Sequence, residues 1–173
     1  MKKIILATLI SGAMSASALA VDAGQGTVTF TGSIISAPCS IAPGEENQEV
    51  PLGQVSDVTL TAGGASASQP FSIQLQGCNL QDTNTVSVTF AGTEAKNGTA
   101  GTGMLQITGE ASGAAVKLMS SSGAQINVNS AHQQSYVAGD NELKFTAALQ
   151  GIAGATVVPG DFSAVTNFTL AYQ

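Results

Sequence analysis

Residues 162–173 read FSAVTNFTLAYQ, and the alternation within them decides the fold class. Phe162, Ala164, Thr166, Phe168, Leu170 and Tyr172 fall on one face of an extended chain, and Ser163, Val165, Asn167, Thr169 and Ala171 on the other. Side chains of a strand alternate between faces, so an apolar row of this period predicts a half-buried strand with one face turned to a core. Near the other end, Gly26, Val28, Phe30 and Gly32 alternate with Thr27, Thr29 and Thr31, a second strand-like segment. Periodicity leaves two fates open for it: pairing within its own domain, or pairing with another molecule.

Residues 1–20 read as a secretory signal peptide. Lys2 and Lys3 precede an apolar run over 4–10, and Ala18-Leu19-Ala20 supplies a small-x-small cleavage site before Val21. The run is too short for a membrane anchor and is broken by Ser11, Gly12, Ser15 and Ser17. Removing 20 of 173 residues leaves 153, enough for one domain with a sizeable core. Three lysines (Lys96, Lys117, Lys144) and no arginine then face eleven acids, a formal charge of −8 that makes nucleic acid an unsuitable partner. Cys39 and Cys78 are the only cysteines. An exported chain meets an oxidising compartment, so a disulfide is expected, stabilising by roughly 3 to 5 kcal/mol for a loop of this length.

Between the two end segments the chain reads as many short strands. The first continues over 33–36. Val50, Leu52, Val55, Val58 and Leu60 suggest short edge strands, and 62–68 is a Gly/Ala/Ser loop. Phe71, Ile73 and Leu75 run towards Cys78, and Val86, Val88 and Phe90 form another alternating row. Residues 92–103 read as a loop, with strands following at 105–108, 116–119 and 126–128. The strongest internal strand is 142–150, where Leu143, Phe145, Ala147 and Leu149 share a face. Pro159-Gly160 is the turn before the last strand. No stretch sustains a helical period with caps, so the pattern indicates an all-β antiparallel sandwich, immunoglobulin-like by its single-domain size.

The chemistry-bearing residues do not assemble into a catalytic pattern. His132, the only histidine, lies in the polar run 129–135 and reads as a surface residue, which leaves no base for a serine nucleophile and no ligand set for a metal. Glu45 and Glu46 read as a solvated turn rather than an acid–base pair. Gly101-Thr102-Gly103 lacks the third glycine and following helix of a phosphate loop. The chain is therefore read as a non-enzyme with no cofactor. Its remaining feature is an edge: Val28 and Phe30 form an apolar row whose burial is worth roughly 1.5 to 3 kcal/mol per side chain, and exposed edges recruit strands.

GQGTVTFTGSIISAPCSI (24–41), LQGC (75–78) and PGDFSAVTNFTLAYQ (159–173) resemble the major pilin subunits of chaperone-usher fimbriae, of the P-pilus and mannose-resistant Proteus-like type. The resemblance covers the chain beyond the signal segment and is most specific at its ends. It implies an incomplete immunoglobulin-like sandwich lacking its final strand, organised as signal peptide 1–20, donor-strand extension 21–31 and pilin domain 32–173. The open groove would be filled first by a periplasmic chaperone and then, at an outer-membrane usher, by the extension of the next subunit, giving a head-to-tail fibre on the cell surface. By position, Gly24, Gly26, Val28 and Phe30 belong to the donor strand, with Gly26, Val28 and Phe30 facing the neighbour's groove. Gly160, fourteenth from the end, and the penultimate Tyr172 match the family pattern; Phe168, Leu170 and Tyr172 would be contacted by chaperone and then donor. The Gln173 carboxylate would meet a basic anchor on the chaperone, and Cys39 and Cys78 match the family's disulfide.

Three other functions fit the composition: a tip adhesin, a minor adaptor subunit of the same fibre, and a self-contained secreted sandwich. An adhesin would carry a receptor domain ahead of the pilin strand, a self-contained domain would fold without a partner, and an adaptor is distinguished only by closeness of resemblance, which favours the shaft.

Overall fold

A computed structural model describes residues 26–80 and 84–173. The expected signal segment and Gly24 lie outside the described residues. The chain divides into two units, Met1–Ile34 and Ile35–Gln173. In the first, the described residues carry no strand, and Val28 and Phe30 are 75% and 89% exposed. Within this chain residues 26–36 form no strand; a strand exists only as part of a ladder, and no described residue pairs with them.

The second unit is built almost wholly of strands. In order they are β1 Ser40–Ile41, β2 Gln69–Cys78, β3 Thr85–Ala91, β4 Glu94–Asn97, β5 Ala100–Gln106, β6 Thr108–Gly109, β7 Ala114–Ser120, β8 Gln125–Ile126, β9 Ala131–Ser135, β10 Gly139–Gly151, β11 Phe162–Ser163 and β12 Asn167–Tyr172, with a helical turn α1 Asp57–Leu60 before β2. All ladders are antiparallel. One sheet runs β1-β2-β10-β7-β5-β4, with β8 beside β7; a second runs β12-β3-β9; β6 and β11 form a two-stranded ribbon.

The core lies between the two larger sheets and follows from the alternation. Leu143, Phe145, Ala147 and Leu149 of β10 and Ile73 and Leu75 of β2 meet Val86, Val88 and Phe90 of β3. Its centre is aromatic: Phe145 stacks on Phe71 at 5.4 Å and meets Phe90 edge-on at 5.2 Å, an arrangement that suits the ring quadrupoles. The expected Cys39–Cys78 disulfide is formed and buried, tying the start of β1 to the end of β2.

Four local expectations are corrected. The last strand is two pieces, β11 on β6 and β12 on β3, because Thr166 donates its hydroxyl to the Ala91 carbonyl (3.0 Å) and the chain changes ribbon there; the inward row of 162, 164, 166, 168, 170 and 172 nonetheless persists across the break. Residues 50–60 hold no edge strand. Asp57 Oδ1 accepts the Val58 N–H at 2.8 Å, and Val58 and Leu60 sit in α1, a turn too short to show a helical period. The loop expected over 92–103 is the β4–β5 hairpin, turned at Gly98-Thr99 with Gly98 at φ +63°. The polar run 129–135 contains β9, entered through Asn129 at φ +61°, whose side chain exchanges two hydrogen bonds with the Gly92 backbone. His132 is accordingly half-buried on a strand beside Phe145 rather than a freely exposed surface residue.

Phe145→Ala should lower the unfolding free energy by about 3 to 5 kcal/mol, since it empties the centre of the aromatic cluster. Lys144→Ala, one position along on the outer face, should change it by no more than about 0.5 kcal/mol. Urea unfolding of the purified chain followed by circular dichroism checks both.

Candidate functional site

The site is a groove whose floor is core. It has a volume of about 1000 Å³ and runs between the segment 46–55 and the segment 160–168. Its floor is made by Phe71, Ile73, Phe90, Leu105, Val116, Leu118 and Ala147, inward residues of five strands. Six of these seven are buried and Phe71 is half-buried, and among the described residues no strand lies between the two walls above them.

The two walls are held by different means. On one side Ala42 donates its N–H to the Gln74 carbonyl at 2.9 Å, and Gln48 Nε2 donates to the Ser72 carbonyl at 2.7 Å and to Glu45 Oε2 at 2.9 Å. Beyond Gln48, residues 49–55 make no backbone hydrogen bond among the described residues, so this wall has few ties. On the other side the Asp161 carbonyl accepts the N–H groups of Glu110 and Ala111 at 2.9 and 3.1 Å. Gly160 sits at this corner at φ +155°, and a Cβ there would lie 2.8 Å from the Ala111 nitrogen, which leaves room for glycine only.

β12 starts at the groove, which Asn167 and Phe168 line, and continues beyond it. Gln173 and Thr85 exchange both backbone hydrogen bonds, at 3.0 and 3.5 Å. In an antiparallel ladder the bonding side alternates, so Asn167, Thr169 and Ala171 turn their backbone groups to β3, and Phe168, Leu170 and Tyr172 turn theirs away from it. The same three residues point their side chains inward and remain half-buried. Among the described residues one row thus carries two deficits at once: N–H and C=O groups without a partner, and apolar side chains only half covered.

Of the expected residues, Gly160 and Phe168 line the groove; Leu170 and Tyr172 continue along β12 beyond it, and Gln173 follows. Tyr172 packs edge-on against the buried Tyr136 at 5.7 Å. Gly26, Val28 and Phe30 belong to the other unit, where Val28 and Phe30 share one parity and a Cβ on Gly26 would meet nothing within 4 Å. Glu45 and Glu46 bond only within their own turn, to Gln48 and the Gly44 N–H, as a solvated pair does. The opposite wall, 46–55, and the floor residues Leu105, Val116 and Leu118 were not legible as site residues, because a groove floor has the same alternating apolar signature as a closed core. Among the described residues no group of three or more His, Cys, Asp or Glu could hold a metal ion, and no helix is long and apolar enough to cross a membrane.

Comparison with known proteins gives a consistent picture. The family model for fimbrial protein matches residues 28–173. The chain is 47% identical to the Fimbria A protein of Serratia marcescens, across 100% of this chain and 99% of that protein. It is also 47% identical to the Major MR/P fimbria protein of Proteus mirabilis, across 92% and 91%. Among solved structures, the P pilus rod subunit PapA matches with a TM-score of 0.70 at 31% identity, covering 79% of this chain and 100% of that one. A chaperone-usher pilus solved to explain rod uncoiling matches with a TM-score of 0.77 at 33% identity, covering 88% and 98%.

Burial, and next the neighbouring Tyr136, raise the pKa of Tyr172 above its ordinary value of 10.0. With a folded pKa above the unfolded one, the unfolded chain releases its proton first as pH rises, so stability is intact below about pH 10 and is lost as pH passes through the folded value. Urea midpoints should fall above about pH 10, and fall less steeply in Tyr172→Phe.

Proposed function

This chain belongs to the fimbrial protein family, and we propose that it is the shaft subunit of a surface fimbria, polymerising head to tail as each subunit fills the groove of the next. The observation that carries this reading is the half-buried row Phe168, Leu170 and Tyr172, whose backbone groups turn away from β3 and meet no partner among the described residues, and which begins at the apolar groove that Phe168 lines. Its complement is the exposed row Gly26, Val28 and Phe30. Strand addition between chaperone and pilin is an established mode of recognition; the proposal is its assignment to these residues.

In this reading residues 1–20 direct export and are removed, 21–31 are the donor extension and 32–173 the pilin domain. Backbone hydrogen bonds from the donor satisfy the outward groups of β12. Val28 and Phe30 descend onto the groove floor, each contributing roughly 1.5 to 3 kcal/mol by burial. Gly26 falls where the added strand comes nearest the acceptor's own side chains, and the absence of a Cβ avoids collision. Register follows from the two-residue period, since a slip by one position would turn the apolar row outward. A contact of one end with the opposite end does not close on itself, so it propagates as a filament.

Before assembly the open row requires a temporary occupant. A periplasmic chaperone that lends a strand to β12 and meets the Gln173 carboxylate with a basic group fits that need, with the outer-membrane usher as the place of exchange. No cofactor enters any step, and none of the steps asks for catalysis by the chain. The alternative of an adaptor or adhesive subunit is not favoured: the relatives are major fimbrial subunits, and the structures it resembles include pilus rod subunits.

Phe30→Asp should abolish fibre formation, lowering the yield more than tenfold, because an unpaired carboxylate would be buried on an apolar floor. The variant subunit should still be recovered bound to its chaperone. Deleting 21–31 should do the same. Electron microscopy of surface fibres and periplasmic pull-down measure the two arms; a soluble, stable monomer in a chaperone-free periplasm, with and without 21–31, would sink the reading.

A further inference from the structure

The β12-β3-β9 sheet has a second open edge, on the side away from the groove. β9 pairs with β3 alone, Gln134 opposite Val86 and His132 opposite Val88. Thr85 spends its backbone groups on Gln173, so Ser87 and Thr89 also bond towards β12, and Val86 and Val88 bond towards β9. The Tyr136 N–H, donated to the Asn84 carbonyl at 3.0 Å, keeps the same alternation. Gln134 and His132 therefore face β3, whereas Ala131, Gln133 and Ser135 direct their N–H and C=O groups outward. All three are exposed, and among the described residues nothing bonds to those groups.

Natural sheets guard such edges with charge, proline or a bulge. β9 carries none of these. Residues 118–139 contain no Asp, Glu, Lys or Arg, in a chain whose formal charge is −6 before any cleavage. Like-charge repulsion therefore does not oppose the approach of a second copy along this edge.

We propose that the β9 edge is a lateral contact between copies of this chain, pairing β9 of a subunit in one fibre antiparallel with β9 of a subunit in another. The inference rests on the fibre reading above. An antiparallel pair of identical strands is self-complementary about a two-fold axis. The outward groups set its register: Gln133 opposite the partner's Gln133, and Ala131 opposite the partner's Ser135. A single five-residue contact is weak, but fibres repeat it, and linked sites gain roughly 10²- to 10⁴-fold in avidity.

The register gives a test that a generic stickiness would not pass. Fibres of the full chain are assembled with Gln133→Cys or with Ala131→Cys and oxidised after assembly. Paired Gln133 positions lie about 5.5 Å apart between Cα atoms, within disulfide reach, whereas two copies of Ala131 lie about 14 Å apart and out of reach. Gln133→Cys subunits should run as dimers on a non-reducing denaturing gel and Ala131→Cys subunits as monomers. Gln133→Lys should leave fibre yield unchanged and cut the fraction that pellets at low speed several-fold. Dimers from neither cysteine variant, dimers equally from both, or Gln133→Lys fibres that bundle like the unaltered ones would overturn the proposal. Failure of the fibre reading looks different: the unaltered chain would form no fibres at all.

Discussion

A strand with one edge paired and the other edge open is the constraint on which this molecule depends. β12 exchanges hydrogen bonds with β3 and presents Phe168, Leu170 and Tyr172 to a side where nothing of the described chain pairs with them. Because backbone direction and side-chain direction share the same period, these residues owe both a ladder and a cover. An added strand supplies both together, and its own apolar row must fall on the same parity. Pairing and side-chain specificity are thus a single requirement.

Leaving such a groove open demands that the rest of the sandwich not collapse into it. The Phe71, Phe90 and Phe145 cluster, two of whose rings form part of the floor, joins the two sheets. The Cys39–Cys78 disulfide closes a loop that contains the whole of the 46–55 wall, so a wall with few hydrogen bonds of its own is still held at both ends. Opposite it, the close approach of Gly160 to the Glu110–Ala111 backbone seats the other wall. The groove is held open by its margins, and its floor remains ordinary core.

Much of this was legible in the alternation, and the failures have local causes. The two faces of 162–172 persist residue by residue although the chain changes ribbon near Thr166; a period of two records the face, but it carries no information about which strand lies alongside. Residues 142–150 were legible for the same reason, with Lys144 out and Phe145 in. The β4–β5 hairpin was hidden because over 94–103 its small polar residues bury little beyond Ala95, and Gly98 at the turn was the signal that could have found it. β9 was hidden because its inward side chains are His132 and Gln134, so its alternation is one of burial without hydrophobicity. The helical turn at Asp57–Leu60 is shorter than any period that would reveal it.

The two open edges of the three-stranded sheet differ in kind, and the difference ranks what each could hold. At β12 the inward row is itself only half-buried and its first residue, Phe168, lines the groove, so an incoming strand gains apolar burial as well as backbone pairing, and at roughly 25 cal/mol per Å² burial is the larger and more selective share. At β9 the inward side is already packed: Tyr136 is buried and His132 lies against Phe145. A strand added there gains backbone hydrogen bonds alone, each of which replaces a bond to water and leaves a modest net gain. The same sheet therefore offers one edge suited to a lasting, register-specific joint and another suited to a weak contact that matters only when many copies are held in line. What separates them is the side-chain row behind the edge, since the backbone groups on offer are alike.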